Sequence, residues 1–306
     1  MIRAIEPAVA ANLSLLLPLD RAWQPTDYLP DLETAGWRDG VERVRTAAEA
    51  VSDELLVVLV GDMVTEEALP SYSVALNGLV KDDEGTKAAP WARWLRGWTA
   101  EENRHGDLLN AYLRLTGRVH MRAVERTVHG LVANGFSPQN HADPYSLLVY
   151  TAFQERATRL SHSNVGRIAA RQGDANLARI CGVIAGDEAR HEAFYTRMMT
   201  AVLEHDPAGG ILAFHSMLRG LIAMPGRFMD DGRDPDLFDH FAMIERCEPP
   251  NDPRTHSPWD FGVSARRTGA LRRRPQARSL PGGIARTVRR LGAGVPGSRV
   301  GTGRSA

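Results

Sequence analysis

The chain has 306 residues, 43% hydrophobic and 24% charged, enough to bury a substantial core in one large or two ordinary soluble domains. Basic and acidic residues both number 37, but the last 62 residues hold 13 Arg and 4 acids, a net of +9, which leaves −9 on the rest. The two cysteines, Cys181 and Cys247, exclude a disulfide framework, lie near no partner at zinc-finger spacing, and suit a reducing cytoplasm.

Taken from the N-terminus, the apolar stretch LSLLLPL is interrupted by Pro18 and closed by Asp20, with no basic segment or small-residue cleavage site, so no cleaved signal is expected. The next apolar run, LLVVLV at 55–60, falls short of the roughly 20 residues that span a bilayer, and no membrane anchor is expected. Apolar periodicity then predicts helices over 40–52, 54–80, 89–116, 118–134, 144–172, 174–204 and 209–223. Asp143-Pro144 starts one of them with a cap and a first-turn proline, Gly173-Asp174 separates two, and Asp206-Pro207 with Gly209-Gly210 ends the next. Long helices joined by short turns make a bundle. Strand alternation and Gly-rich phosphate loops are missing, which argues against a nucleotide-binding α/β domain.

Glu-x-x-His occurs twice, as Glu102–His105 and Glu188–His191. Residues three apart on a helix project from one face, so each copy presents a carboxylate and an imidazole together. Both copies lie in apolar lanes: Leu95, Trp98, Glu102, His105, Leu109 and Tyr112 in one, Leu177, Cys181, Ile184, Glu188, His191 and Tyr195 in the other. A carboxylate buried among such residues is costly unless a cation pairs with it. The helix over 144–172 has a single acid, Glu155, in the lane Leu148, Ala152, Glu155, Thr158. The helix over 54–80 offers Asp62, Glu66 and Glu67, and periodicity leaves the two adjacent Glu residues undecided. One Glu from each of two helices plus Glu-x-x-His from each of two others is the ligand set of a di-iron or di-manganese carboxylate bundle. The expected fold is therefore all-α, a ferritin-like di-iron bundle with additional flanking helices. A donor set of carboxylates and imidazoles without thiolate favours iron or manganese over zinc or copper. Core packing explains Trp98, Tyr112 and Tyr195, and His120, His129, His162 and His215 read as surface or packing residues.

From residue 10 to 241 the chain resembles the soluble acyl-acyl carrier protein desaturases, the plant stearoyl-type enzymes and their actinobacterial relatives. The segments that carry the resemblance are WQPTDYLPD, VVLVGDMVTEEALPSY, WTAEENRHGDLLNAYLRLTGRV, TAFQERATRLSH, CGVIAGDEARHEAFYT and DGRDPDLFDHF. The resemblance implies that Glu66, Glu102, His105, Glu155, Glu188 and His191 bind two iron ions. It places Thr158 near the oxygen-binding face and Trp23 with Asp187 on an electron route. It further implies that electrons from ferredoxin and dioxygen convert adjacent methylenes of a carrier-bound acyl chain to a cis double bond. The protein would be a homodimer, would bind acyl-acyl carrier protein and ferredoxin, and would have no nucleic-acid partner. The segment 71–79, with small Ala75 and Gly78, resembles a wall of the acyl tunnel. The competing readings are a non-catalytic, oxidase-type or iron-storage bundle, a radical-generating subunit with Tyr195 beside the metal, and a desaturase inactivated by an altered C-terminus.

The resemblance stops near residue 244. Residues 1–244 form the expected di-iron domain, and 245–306 are rich in Arg, Gly and Pro without an apolar period, a composition that buries too little surface to offset ordering. Such a tail is expected to be disordered, and Arg supplies all but two of the 37 basic residues, as in GC-rich coding sequence. An out-of-frame reading of GC-rich DNA produces this composition; the alternative is a genuine basic tail. Resequencing the gene distinguishes them: a shifted frame near residue 245 is expected, and a verified uninterrupted frame would rule it out.

Overall fold

The computed structural model describes residues 1–135, 143–220, 222 and 224–230. The segment 231–241, Cys247 and the 245–306 tail lie outside the described residues. The elements are α1 (Glu6–Asn12), α2 (Trp37–Glu49), α3 (Asp53–Glu66), α4 (Leu69–Val80), α5 (Pro90–Thr116), α6 (Met121–Asn134), α7 (Pro144–Gln172), α8 (Ala175–His205) and α9 (Pro207–Gly220), with short 3-10 turns at Leu13–Leu15, Pro25–Asp27 and Pro225–Phe228. Among the described residues there is no strand. The protein is an all-α, ferritin-like bundle: α7 packs along α8, α3 against α5 and α7, and α5 against α8. Around these four helices, α1, α2 and α4 pack on α5, α6 on α3, and α9 on α7 and α8.

The long helices have local reasons to start and stop where they do. Asp143 accepts from the backbone N–H groups of Tyr145 and Ser146, Pro144 occupies the first turn of α7, and Gly173 at φ 103° lets the chain leave it. Asp174 caps α8 at once, accepting from the N–H of Leu177 at 2.8 Å. The resulting hairpin is tight because a Cβ added to Gly166 would meet Cys181 Cβ at 3.1 Å and the Ala178 carbonyl at 3.3 Å. Trp94, Trp98, Leu108, Leu109, Leu113, Phe194 and Met198 fill the space between helices, all 1% exposed or less. Fully burying side chains of this kind contributes roughly 1.5–3 kcal/mol each. That apolar shell surrounds a polar centre.

Two departures from the sequence reading follow from local chemistry. The single helix expected over 54–80 is two, α3 and α4, separated at Glu67 and Ala68. Pro70, in the first turn of α4, has no N–H and its ring crowds the carbonyl four residues back, so a continuous helix through Glu66 is unfavourable. Second, residues 6–12 form α1, which packs against α5 and α8.

Asp174 is fully buried and also accepts from the Tyr112 hydroxyl at 2.5 Å, tying α5 to the α7–α8 turn. Asp174→Ala removes a cap worth ~1 kcal/mol and orphans a buried hydroxyl at ~1–3 kcal/mol. The variant is expected to lose roughly 2–4 kcal/mol of stability in thermal or urea unfolding, and an unchanged midpoint would contradict this role.

Candidate metal centre

The polar centre is assembled from one short stretch of each bundle helix. α3 contributes Asp62 and Glu66, α5 Glu101, Glu102 and His105, α7 Glu155, Thr158 and His162, and α8 Asp187, Glu188 and His191, every one of them buried. Of the two adjacent Glu residues on the break after α3, Glu66 turns inward, whereas Glu67 is half-exposed and accepts from Asn110 at 3.3 Å. The break puts Glu66 on the last residue of α3, aimed between α5 and α7.

Ligating atoms of Glu66, Glu102, His105 and Glu188 lie within 4.8 Å of one another, as do those of Glu102, Glu155, Glu188 and His191. All six residues chosen from sequence thus converge, and Glu102 and Glu188 belong to both groups. In each imidazole Nδ1 faces the cluster. His105 Nδ1 is 3.4 Å from Glu188, 3.6 Å from Glu102 and 3.7 Å from Glu66. His191 Nδ1 is 2.7 Å from Glu102, 3.5 Å from Glu155 and 4.0 Å from Glu188. Despite this proximity, His105 Nδ1, His191 Nδ1, Glu102 Oε1 and both Glu188 oxygens make no hydrogen bond of acceptable geometry. Buried orphan acceptors facing one another are costly without a cation between them. The donor set fits two hard or borderline divalent metals, one in each group, sharing Glu102 and Glu188.

A second ring of side chains holds this set. His105 Nε2 meets Asp187 at 3.3 Å, and Asp187 also accepts from Trp23 Nε1 at 3.0 Å and from Arg104 at 3.1 Å. The Trp23 ring stacks on His105 at 6.1 Å, and the Arg104 guanidinium lies over the Trp23 ring at 4.6 Å. His191 Nε2 meets Glu101 at 2.9 Å. Trp98 donates from Nε1 to Glu155 at 3.0 Å, so it does more than pack. Tyr195 is fully buried and its hydroxyl accepts from Trp94 Nε1 at 3.3 Å. Thr158, one turn beyond Glu155, gives its hydroxyl to the carbonyls of Gln154 and Glu155 at 3.2 and 3.3 Å.

His120, His129 and His215 are exposed, but His162 is not a surface residue. It is buried with Nε2 2.8 Å from Glu66, beside Asp62, which in turn accepts from Ser161 at 2.7 Å. Extending the lane Glu155, Thr158 by one more turn reaches His162, a signal present in the sequence. Glu101 was equally legible, since it precedes Glu102 as Asp187 precedes Glu188. Gly78 is exposed, with nothing near the position of a Cβ, so it is no tunnel wall here. Leu76 and Leu79 of the same helix, with Trp94, Leu95, Leu148 and Tyr195, enclose an apolar cavity of about 10 Å³. That is room for about one water, so a longer apolar guest enters only if these side chains turn aside.

Burial raises the pKa of Glu155, and the charges of Glu102 and Glu188 raise it further; burial and Glu102 raise that of Glu188. Burial opposes ionisation of Glu66 too, but the adjacent His105 and the hydrogen bond from His162 prevail and bring it down to about 2. Asp187, likewise opposed by burial, is drawn to about 2 by His105 and Arg190. For His105 and His191 burial disfavours the charge, but surrounding carboxylates outweigh it and hold both well above the ordinary 6.5. Without metal, the cluster offsets its excess negative charge by retaining protons on imidazoles and carboxyls.

Comparison with known proteins gives a consistent set of similarities. A fatty acid desaturase family model matches residues 1–248. The acyl-[acyl-carrier-protein] desaturase of Cucumis sativus is 49% identical over 245 residues, 79% of this chain and 62% of that protein. The stearoyl-[acyl-carrier-protein] 9-desaturase of Spinacia oleracea is 49% identical over 79% of this chain and 61% of its own length, and desaturase 1 of Arabidopsis thaliana is 50% identical over 76% and 59%. The chain spans about three fifths of the length of these relatives. The X-ray structure of a putative acyl-ACP desaturase, DesA2 of Mycobacterium tuberculosis, aligns with a TM-score of 0.47 at 24% identity, over 79% of this chain and 84% of that one.

Because His105 and His191 are protonated above the usual imidazole range in the metal-free chain, a cation at Nδ1 must displace protons. Loading with Co2+ is expected to release protons and to tighten as pH rises through neutrality. Calorimetric titration in buffers of different ionisation enthalpy reads the release, and a buffer-independent heat would count against it.

Proposed function

The chain belongs to the fatty acid desaturase family, and from that membership and the buried Glu and His cluster we propose that it is an acyl-[acyl carrier protein] desaturase. It introduces a cis double bond into a carrier-bound fatty acyl chain with dioxygen and two electrons from ferredoxin. The observation that carries this reading is the convergence of Glu66, Glu102, His105, Glu155, Glu188 and His191 as two overlapping, buried ligand groups at the centre of the bundle.

Glu66 and His105 would hold one iron, Glu155 and His191 the other, with Glu102 and Glu188 shared. The two irons, when bound, would pass electrons to dioxygen and so supply the oxidising power toward an unactivated C–H bond that no protein side chain has. The protein's own part is orientation and exclusion of water. Asp187 and Glu101 accept from the outer nitrogens of His105 and His191 and so leave Nδ1 free to ligate. Trp98 and His162 steady the terminal carboxylates Glu155 and Glu66. The Trp23–Asp187–His105 contacts support an electron route from the surface side of the N-terminal segment to the centre. Thr158, on the inner face of α7 beside Glu155, is the proposed hydroxyl near the oxygen-binding side. Donating its O–H to the helix carbonyls leaves both lone pairs of the oxygen free to accept, and a rotamer change would free the O–H for that role.

Among the described residues no helix is long and apolar enough to cross a membrane. The buried free thiol of Cys181 supports a reducing, cytoplasmic location. We further propose a homodimer, a di-iron domain over residues 1–244, and a separate 245–306 tail.

Two measurements test the reading. Purified, iron-loaded protein incubated with acyl-acyl carrier protein and reduced ferredoxin is expected to yield acyl chains lighter by two mass units; oxygen uptake without that product would favour an oxidase or storage bundle. Glu188→Ala and His105→Ala are each expected to lose bound iron and activity together, and a variant that keeps two irons per chain would show the ligands to be misassigned.

A further inference from the structure

The repeat in this chain is wider than Glu-x-x-His. α5 reads Glu101-Glu102-Asn103-Arg104-His105 and α8 reads Asp187-Glu188-Ala189-Arg190-His191, an acid, Glu, any residue, Arg and His in both. The two helices use the outer members of this pattern reciprocally. Asp187 of α8 takes His105 Nε2 at 3.3 Å and Arg104 at 3.1 Å, both from α5. Glu101 of α5 takes His191 Nε2 at 2.9 Å and Arg190 at 2.9 Å, both from α8. The N-terminal segment adds one donor to each acid, Trp23 Nε1 to Asp187 at 3.0 Å and the Leu17 backbone N–H to Glu101 at 2.6 Å. Arg190 also reaches the second oxygen of Asp187 at 2.8 Å, so one guanidinium spans both acids.

We propose that Glu101 is the positioning residue for His191, and that Arg190 locks this pair to the Asp187–His105 pair. The inference rests on the metal-centre reading above. An imidazole ligates well through Nδ1 when a carboxylate accepts its Nε2–H, because that bond fixes the tautomer and the ring plane and raises the basicity of the ligating nitrogen. Glu101 is 5% exposed and both its oxygens are taken, by Leu17 on one side and by Arg190 and His191 on the other. Its carboxylate is therefore held from two directions, by Leu17 and Arg190, before it holds the histidine. Since Glu101 contacts only His191 of the ligands and Asp187 only His105, each acid serves a different metal position.

That separation makes the proposal directional. Metal-free, full-length protein is titrated with Co2+, with visible absorption and metal counting as readouts. Wild type is expected to take two ions per chain. Glu101→Gln, which keeps shape and an acceptor oxygen but loses the charge, is expected to weaken one ion by about 10–100-fold while the other is unchanged. Asp187→Asn is expected to weaken the opposite one, so the two variants give different Co2+ spectra at one equivalent. Leu17→Pro removes the backbone donor to Glu101 together with the half-buried Leu17 side chain, and Leu16 already has the extended ψ of 141° that a following proline requires. It is expected to weaken the same ion as Glu101→Gln by a smaller factor, and it decides the matter if Glu101→Gln does not fold. Equal weakening of both ions, or of neither, overturns the proposal while leaving two ions in wild type intact. Wild type that binds no Co2+ overturns the metal-centre reading and this inference with it.

Discussion

Four carboxylates and two imidazoles packed into the middle of an apolar bundle are a cost that the rest of the fold must meet. Each ionised carboxylate moved out of water loses several kcal/mol of hydration even after relaxation. Here the mutual repulsion of Glu102, Glu155 and Glu188 adds to that loss and drives protons onto the cluster. The architecture answers in two ways. A dense shell of Trp94, Trp98, Phe194, Leu108 and Leu109 supplies apolar burial around the centre. A second ring of hydrogen-bonding groups, from Trp98 and His162 to Asp187 and Glu101, gives nearly every outward-facing polar atom a partner. Among the ligand residues, the atoms left unpartnered, His105 Nδ1, His191 Nδ1, Glu102 Oε1 and both Glu188 oxygens, face one another where two cations would sit.

The N-terminal 30 residues are part of this solution although they contribute no ligand. Trp23, the Trp23 carbonyl and the Leu17 amide engage Asp187, Arg104 and Glu101, and Leu15 accepts from Arg190 at 2.9 Å. Gly97 of α5 is bare where Leu16 lies across it, since a Cβ there would overlap the Leu16 side chain. This segment is a strap along the side of the bundle that carries both outer acids.

Helix existence and most helix ends were legible because they depend on local chemistry: Asp143-Pro144, Gly173-Asp174 and the apolar lanes each act within a few residues. The same lanes led to Glu102, His105, Glu155, Glu188 and His191, because three- and four-residue spacing maps directly onto a helix face. Periodicity failed at Glu66 against Glu67, where the chain breaks ahead of Pro70 and the lane argument no longer applies. His162 was misread as a packing or surface histidine because nothing within its own helix reveals that Glu66 approaches from α3.

By itself, then, the sequence determined which residues are helical, which side of each helix is apolar and which acids and imidazoles lie on that side, since all of these follow from backbone periodicity and capping. Only the tertiary structure decided who meets whom: Glu66 with His162, Glu101 with His191, Asp187 with His105 and Trp23. Those pairings join residues 82 to 164 positions apart along the chain, and they are set by how four helices and a strap pack, which no local period encodes.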